Sequence, residues 1–586
     1  MTDTKPTTSA AGSSGLSPGS LDAIALEILS NALRSVADEM FAALMRSAYS
    51  TNIKERHDHS TAFCDRAGRL IVQAEHALPI HIAGMTGLMK TLLAKYDLRD
   101  IREGDVFIAN DPHVAGGSHL PDVNLAMPVF VNERLLGFIC NTAHHADIGG
   151  MSPGSMAGAM TEIYQEGVRI PLIRLFRAGE LQEDLFALLL LNVRLPAERR
   201  GDYYAQVAAA RLGVRRMIEL AGSYSCEVLE AAFDQIISRT AARMRAALRV
   251  VPDGKYFFED VMDDDGVGTV DIPIRLTVTA RDGALTFDFR DTADQVLGNI
   301  NLPVVATRAA VCYTLKALFD PDIPNNQAVV DSCELLTRPG TIVDCVFPAS
   351  VAARANTAQR VVDVIIGALA HALPQYVVGA SNGANTTAVF SGKDPRTGHN
   401  YLYLETLGGG FGGRSDRDGR DGVQVHTTNT SNLPIEAIET EYPLQVVSYG
   451  FVEDSGGAGH FRGGLGLRRE IKPIGHTCLF NGAGERFSHQ PWGVFGALPG
   501  KSGCFTLRDA KGKKRRLPIK PSAVTVRPDQ MLSIETPGSG GYGPPGERPA
   551  ELVARDRASG KFTESYLRRY YGPAPRGARR PARRKK

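Results

Sequence analysis

The chain has 586 residues, 43% of them hydrophobic and 22% charged, with a net charge of +2. That is the composition of a globular protein with core enough for roughly two to four domains or one elaborate one. So balanced a charge excludes a general nucleic-acid binder, and no stretch reaches the roughly 18 consecutive apolar residues of a membrane span. The eight cysteines are scattered, with no CxxC. Together with a start, MTDTKPTTSAAGSSGLSPGS, that lacks an apolar h-region, this predicts reduced thiols and a cytoplasmic location.

Residues 1–20 read as a disordered leader. Ser20 is the expected N-cap of a helix from Leu21 to about Ser47, with Ile24, Ile28, Val36, Met40 and Leu44 on one face. Thr61–Phe63 and Leu70–Gln73 form a hairpin over Asp65-Arg66-Ala67-Gly68. His76 and His81 follow, either in a functional cavity or in a polar loop that covers one.

The chemistry concentrates between Asp111 and Asp147. This stretch holds His113, His119, His144 and His145 among the carboxylates of Asp111, Asp122 and Asp147. Imidazole and carboxylate oxygen are the usual ligands of Zn, Mn and Fe(II), and two histidines with one carboxylate leave coordination positions open. Apolar runs at 123–131 and 135–142 flank Asn132-Glu133-Arg134, which predicts two strands joined by a tight turn. With a three-residue turn, Asp122 falls opposite His144, Cβ atoms roughly 5 Å apart. A two-residue turn would put them on opposite faces. Pro128 marks an edge or a bulged strand. His119 lies one bend upstream in GGSHLPD, so His119, Asp122 and His144 are the expected metal ligands. His145 and Asp147 are the expected neighbours that orient a ligand or shuttle a proton. Taken singly, such histidines are more often buried and hydrogen-bonded; the constellation favours a metal.

GGMSPGSMAGAMTEIYQEG reads as a flexible loop suited to a lid or a partner contact. Residues 183–248 read as one helix and then a long helical hairpin, broken near 194–196 and 222–223. Near residue 250 the pattern changes to alternating strands at 256–260, 270–279 and 285–289, with turns at 263–266 and 282–283. The acidic turn lacks the calcium-loop pattern and is expected to be only a turn. Helices follow at 307–319 and 358–372. Beyond Tyr401 glycine dominates, as in LETLGGGFGGRSDRDGRDG and TPGSGGYGPP, which implies backbone brought close to something. A phosphate is one candidate, but Phe495-Gly496-Ala497-Leu498-Pro499-Gly500-Lys501-Ser502 begins with Phe where a P-loop needs Gly, so no nucleotide loop is expected. From Arg569 to Lys586 the chain is basic without an acid. The expected fold is mixed α+β: antiparallel sheets, a long helical hairpin in the N-terminal half and a Gly-rich, β-containing C-terminal half. Its divisions are a leader (1–20), a metal-site domain (21–250), a mixed Gly-rich domain (251–550) and a partly disordered basic tail (551–586).

Several long stretches together resemble the hydantoinase B family, which includes the B half of ATP-dependent oxoprolinases and the metal-bearing subunit of acetone carboxylase. They are RSAYSTNIKERHDHSTAF (46–63), QAEHALPIHIAGM (73–85), GDVFIANDPHVAGGSHLPD (104–122), NTAHHADIGG (141–150), GNINLP (298–303), DPDIPNN (320–326), ETLGGGFGGRSDRDGRDG (405–422), TNTSNLPIEAIETEYP (428–443) and FRGGLGLRRE (461–470). The resemblance implies Mn or a similar divalent metal on a His-x-x-Asp pair and a later His, which fall at His119, Asp122 and His144. It also implies a hydantoinase A-like partner that binds ATP and phosphorylates the substrate. The expected activity is that of a subunit of an ATP-dependent hydrolase of cyclic amides: hydantoin, 5-oxoproline or lactam rings. Two alternatives stand beside it, a subunit of an acetone-type carboxylase and a non-catalytic structural subunit.

Overall fold

The computed structural model describes residues 21–572. The N-terminal half is built on a seven-stranded antiparallel sheet of β1 (His59–Asp65), β2 (Leu70–Gln73), β3 (Val106–Ala109), β4 (Asp122–Val131), β5 (Arg134–His144), β6 (Ile173–Arg177) and β7 (Glu180–Leu181). Their spatial order is β2-β1-β5-β4-β3-β6-β7. Strand residues alternate between two cores, as the pleat requires. Phe63, Val123, Leu125 and Ile139 face one core with α1 (Ala23–Ser47). Ala62, Cys64, Ala126, Phe138 and Cys140 face the other. After the short α2 (Thr51–Lys54), α3 (His81–Lys95) packs on this second face. The first face is closed by α4 (Glu183–Leu191), α5 (Pro196–Tyr224) and α6 (Cys226–Leu248).

α1 departs from expectation in its orientation. Ser20 lies outside the described residues, and the cap is Asp22, whose carboxylate accepts the Ala25 amide at 2.8 Å. Ile24 and Ile28 are exposed, while Leu26, Leu29, Leu33, Val36 and Met40 are buried. A row of every fourth residue drifts by about 40° per step on a 3.6-residue helix, so Ile24 and Leu44 do not share a face.

In the second half, β8 (Gly254–Asp264), β9 (Val270–Arg281) and β10 (Ala284–Asp288) form the expected antiparallel meander. α7 (Val304–Phe319) and α8 (Gln327–Val330) then lead to β11 (Glu334–Leu336), which adds parallel to β10. The buried α9 (Arg354–Leu369) packs against this sheet. The acidic turn is a turn: one Asp265 oxygen accepts the amides of Val267, Gly268 and Thr269. The change of pattern near residue 250 is not a break in packing, because Leu78, Ile80, Met244 and Leu248 share one core with Ile274 and Val361.

The remaining strands are β12 (Thr386–Lys393), β13 (Asn400–Leu407), β14 (Leu444–Phe451), β15 (Leu467–Pro473), β16 (Cys478–Ala483), β17 (Cys504–Arg508), β18 (Lys514–Arg516), β19 (Val524–Val526) and β20 (Met531–Glu535). They make two antiparallel sheets, β13-β12-β16-β19 and β14-β15-β20-β17-β18, with α10 (Ile435–Glu441) between β13 and β14 in sequence. The glycine runs beside them pack on each other's backbone. A Cβ at Gly412 would sit 1.8 Å from the Gly379 carbonyl oxygen. The basic tail is ordered at its start, where α11 (Ala550–Ser559) and α12 (Glu564–Tyr571) follow, with Leu567 packed on Leu465; residues 573–586 lie outside the described set.

The loop at 149–167 is also more fixed than its composition suggests. Met156 and Met160 are buried against Val389 and Leu404. All eight cysteines are free thiols. Among the described residues, no helix is long and apolar enough to cross a membrane.

Candidate metal centre

The β4–β5 hairpin brings Asp122 and His144 together by a route the sequence did not reveal. Its turn has two residues, Asn132 (φ 48°) and Glu133 (φ 65°), with Val131 paired to Arg134. Both residues lie in the left-handed region that a tight hairpin turn demands. With that turn alone, Asp122 and His144 would face apart. A bulge restores the register: Phe130 pairs with Leu135 but Val129 with Gly137, leaving Leu136 as the extra residue, and Asp122 arrives opposite His144. Pro128 sits one residue before the bulge, paired with Phe138 of β5 and beyond Ala126, the last β4 residue that β3 pairs.

His119 joins them across the bend at Gly116-Gly117. Gly117 is obligatory there, since a Cβ would stand 2.3 Å from the Asn110 carbonyl oxygen. The donor atoms of His119, Asp122 and His144 lie within 4.8 Å of one another, and the residues are 0%, 1% and 6% exposed. His119 Nδ1 donates to the Ala352 carbonyl at 3.1 Å, so its neutral ring turns a bare Nε2 toward Asp122 Oδ1, 3.0 Å away. Neither of these two atoms has a hydrogen-bond partner. Two buried lone-pair atoms at that distance repel unless a cation or proton lies between them. The donor set, two imidazoles and a carboxylate, fits a divalent metal.

The surroundings hold these groups in ligating form. Burial, then Arg354, lowers the His119 pKa; burial, then His119, lowers that of His144 well below its ordinary value, so both rings are neutral. Burial alone would raise the Asp122 carboxyl, but its neighbours outweigh burial and keep it ionised, and with the rings neutral the charge that does so is the Arg354 guanidinium. Asp122 Oδ2 accepts from Ser118 Oγ and from Arg354 Nη2, each at 2.5 Å. Asn52 turns its amide nitrogen to His144, 2.7 Å from the carbonyl oxygen and 2.9 Å from Nδ1, while its oxygen is taken by Arg56.

His81 reaches the same cavity, with Nε2 3.6 Å from Asp122 and 3.8 Å from Asp58; His76 is exposed and does not. His145 and Asp147 are not placed as the sequence suggested. Neighbouring strand residues face opposite ways, so His145 turns toward α5, with Nε2 3.0 Å from Gln206 Oε1 and its ring 4.6 Å from that of Tyr203. Asp147 anchors the following loop instead, accepting the amide and Nη1 of Arg194, each at 2.9 Å. His113 bonds the Ala349 carbonyl at 3.0 Å and lies outside the group. Arg354, Arg56, Asp58 and Asn52 complete the site without having been expected there. Arg354 carries no local signal, being 232 residues from the carboxylate it meets.

Glu166 holds the segment that orients His119. One of its oxygens accepts from Ser350 Oγ and from the amides of Val351 (2.5 Å) and Ala352 (2.8 Å). Burial pushes its pKa up to about 7 against those bonds. A raised folded-state pKa adds stability that is complete below the unfolded value of 4.5 and lost as pH rises through about 7. Glu166→Gln keeps the accepting oxygen without the charge. Denaturant titrations from about pH 5 to about pH 8 should therefore show the wild type losing up to roughly 3 kcal/mol that the variant does not lose.

A profile of the hydantoinase B/oxoprolinase family matches residues 22–545. The beta component of the caprolactamase from Pseudomonas jessenii is 31% identical over 563 residues, covering 94% of this chain and 96% of that one. The crystal structure of the ATP-dependent caprolactamase from Pseudomonas jessenii superposes with a TM-score of 0.89 at 29% identity, covering 95% and 97% of the two chains. Nucleotide-free acetone carboxylase, at 16% identity and a TM-score of 0.81 over 93% of this chain and 79% of that one, shares the fold. With a profile match spanning nearly its whole length, the chain belongs to the hydantoinase B/oxoprolinase family.

Proposed function

We propose that this chain is the metal-bearing subunit of an ATP-dependent hydrolase that opens cyclic amides, a hydantoin, 5-oxoproline or lactam ring. It works in the cytoplasm with a hydantoinase A-like subunit that binds ATP. The observation that carries this reading is the buried group of two neutral imidazoles and one ionised carboxylate, in a chain of this family. A divalent ion (Mn, Zn or Fe) on His119, Asp122 and His144 would lower the pKa of a bound water toward ~7 and supply hydroxide at neutral pH. The cavity wall also carries two guanidinium groups, Arg354 on Asp122 and Arg56, whose Nε has no protein partner. Preorganised donors of this kind favour the negative charge that develops on a carbonyl oxygen under attack, or that an activating phosphoryl group brings. The backbone-packed glycine runs support assigning ATP to the partner.

The test is turnover by the reconstituted complex. Ring-opened product and phosphate should appear with ATP and one of hydantoin, 5-oxoproline or caprolactam, at a rate independent of bicarbonate. Labelled bicarbonate fixed into product would instead establish the carboxylase. Purified chain devoid of metal would leave it a structural subunit.

A further inference from the structure

The cavity at the metal centre is about 30 Å³, room for a water or two and far below the roughly 300 Å³ at which pockets for small ligands begin. A cyclic amide ring therefore needs one wall to open. Behind one wall lies a second cavity of about 230 Å³, which reaches solvent beside the exposed Glu75, Ala317 and Asn429. The wall is a single chain thick. Along residues 77–82, Leu78, Ile80 and His81 line the inner cavity, whereas Ala77, Pro79 and Ile82 line the outer one. At residues 428–430, Thr428 and Thr430 face inward and Asn429 outward. Residues 74–80 and 424–430 are irregular. They are stitched together by Ile80 N to the Thr427 carbonyl and Asn429 Nδ2 to the His76 carbonyl, both 3.3 Å. Bonds at the long end of the range between irregular segments open most readily.

The outer cavity also has the chemistry of a ligand site. Its walls are apolar at Pro79, Ile82 and Val329 and polar at Gln73, Asn325 and Lys316, where Lys316 Nζ donates to Asn325 Oδ1 at 3.1 Å. An apolar wall with a few convergent amides matches a small ring that has a methylene body and an amide edge. We infer that this cavity is the antechamber for the cyclic amide, and that the seam between residues 77–82 and 427–430 is the gate to His119, Asp122 and His144. The inference rests on the functional reading above.

The experiment follows metal release and needs no substrate. Full-length chain with its native metal is mixed with 1,10-phenanthroline, and the metal remaining is measured over time. Two variants block the route from exposed positions. The pair His76→Cys/Asn429→Cys ties the seam when oxidised and frees it when reduced. Ala317→Trp fills the mouth of the outer cavity and decides the matter if no disulfide forms. Release should slow at least ~10-fold in the oxidised pair and in Ala317→Trp, with the reduced pair like the wild type. Metal present and released at wild-type rates in both variants overturns the gate alone. A wild-type chain without metal overturns the functional reading and this inference together.

Discussion

Replacing His144 with alanine is expected to bring bound metal to background, measured by elemental analysis after dialysis, and to lower turnover of the reconstituted complex at least ~10³-fold. The reason lies in the donor set: a carboxylate and one imidazole would hold a divalent ion far more weakly than a carboxylate and two imidazoles. An ion held there would lower the pKa of a bound water toward about 7, and that activation would be lost with it. His144 lies at the end of β5 with its backbone amide on the Asp58 carbonyl at 3.0 Å, a bond that alanine keeps. The fold should therefore persist, with far-UV circular dichroism unchanged. Metal retained at full stoichiometry in this variant would sink the assignment.

The second large effect belongs to Arg354. Its side chain is 5% exposed and its partner Asp122 2% exposed, so Arg354→Met leaves an ionised carboxylate in the interior without its counter-charge. Breaking a buried pair from one side costs about 3–5 kcal/mol. Urea unfolding of metal-stripped protein should show a loss of that size. The double variant Asp122→Asn/Arg354→Met should recover most of it, because no charge is then stranded. Asp122 has a depressed pKa. Its contribution is therefore present above the unfolded value of 3.8 and disappears as pH falls through its lower folded value, so the difference between wild type and Arg354→Met should narrow in acid. A loss below about 1 kcal/mol at neutral pH would mean that the pair is solvated, as surface pairs of that small worth are.

Local signals are enough for most elements. The strands at 61–63, 70–73, 256–260, 270–279 and 285–289 and the helices between 183 and 248 all lie within the observed elements or differ only at their ends, because period-two and period-3.6 patterns are written in neighbouring residues. The α1 face misleads for the same local reason: a fourfold spacing looks straight in a sequence and winds around a helix in space. Closeness in sequence likewise draws His145 and Asp147 to the site, although strand alternation sends His144 and His145 to opposite faces.

By itself, the sequence determined the family, through long stretches spread over nearly the whole chain, and the residue types of the centre, through the spacing of His119, Asp122 and His144. Only the tertiary structure decided how those three meet. Register is a property of paired strands, and the two-residue turn and the bulge at Leu136 each shift it by one, so neither reveals the outcome alone. The charge balance of the centre was likewise invisible beforehand. Arg354 at the start of α9, Asn52 in α2 and the Ala352 carbonyl reach these three residues from distant parts of the chain, and burial strengthens electrostatics that water would otherwise screen.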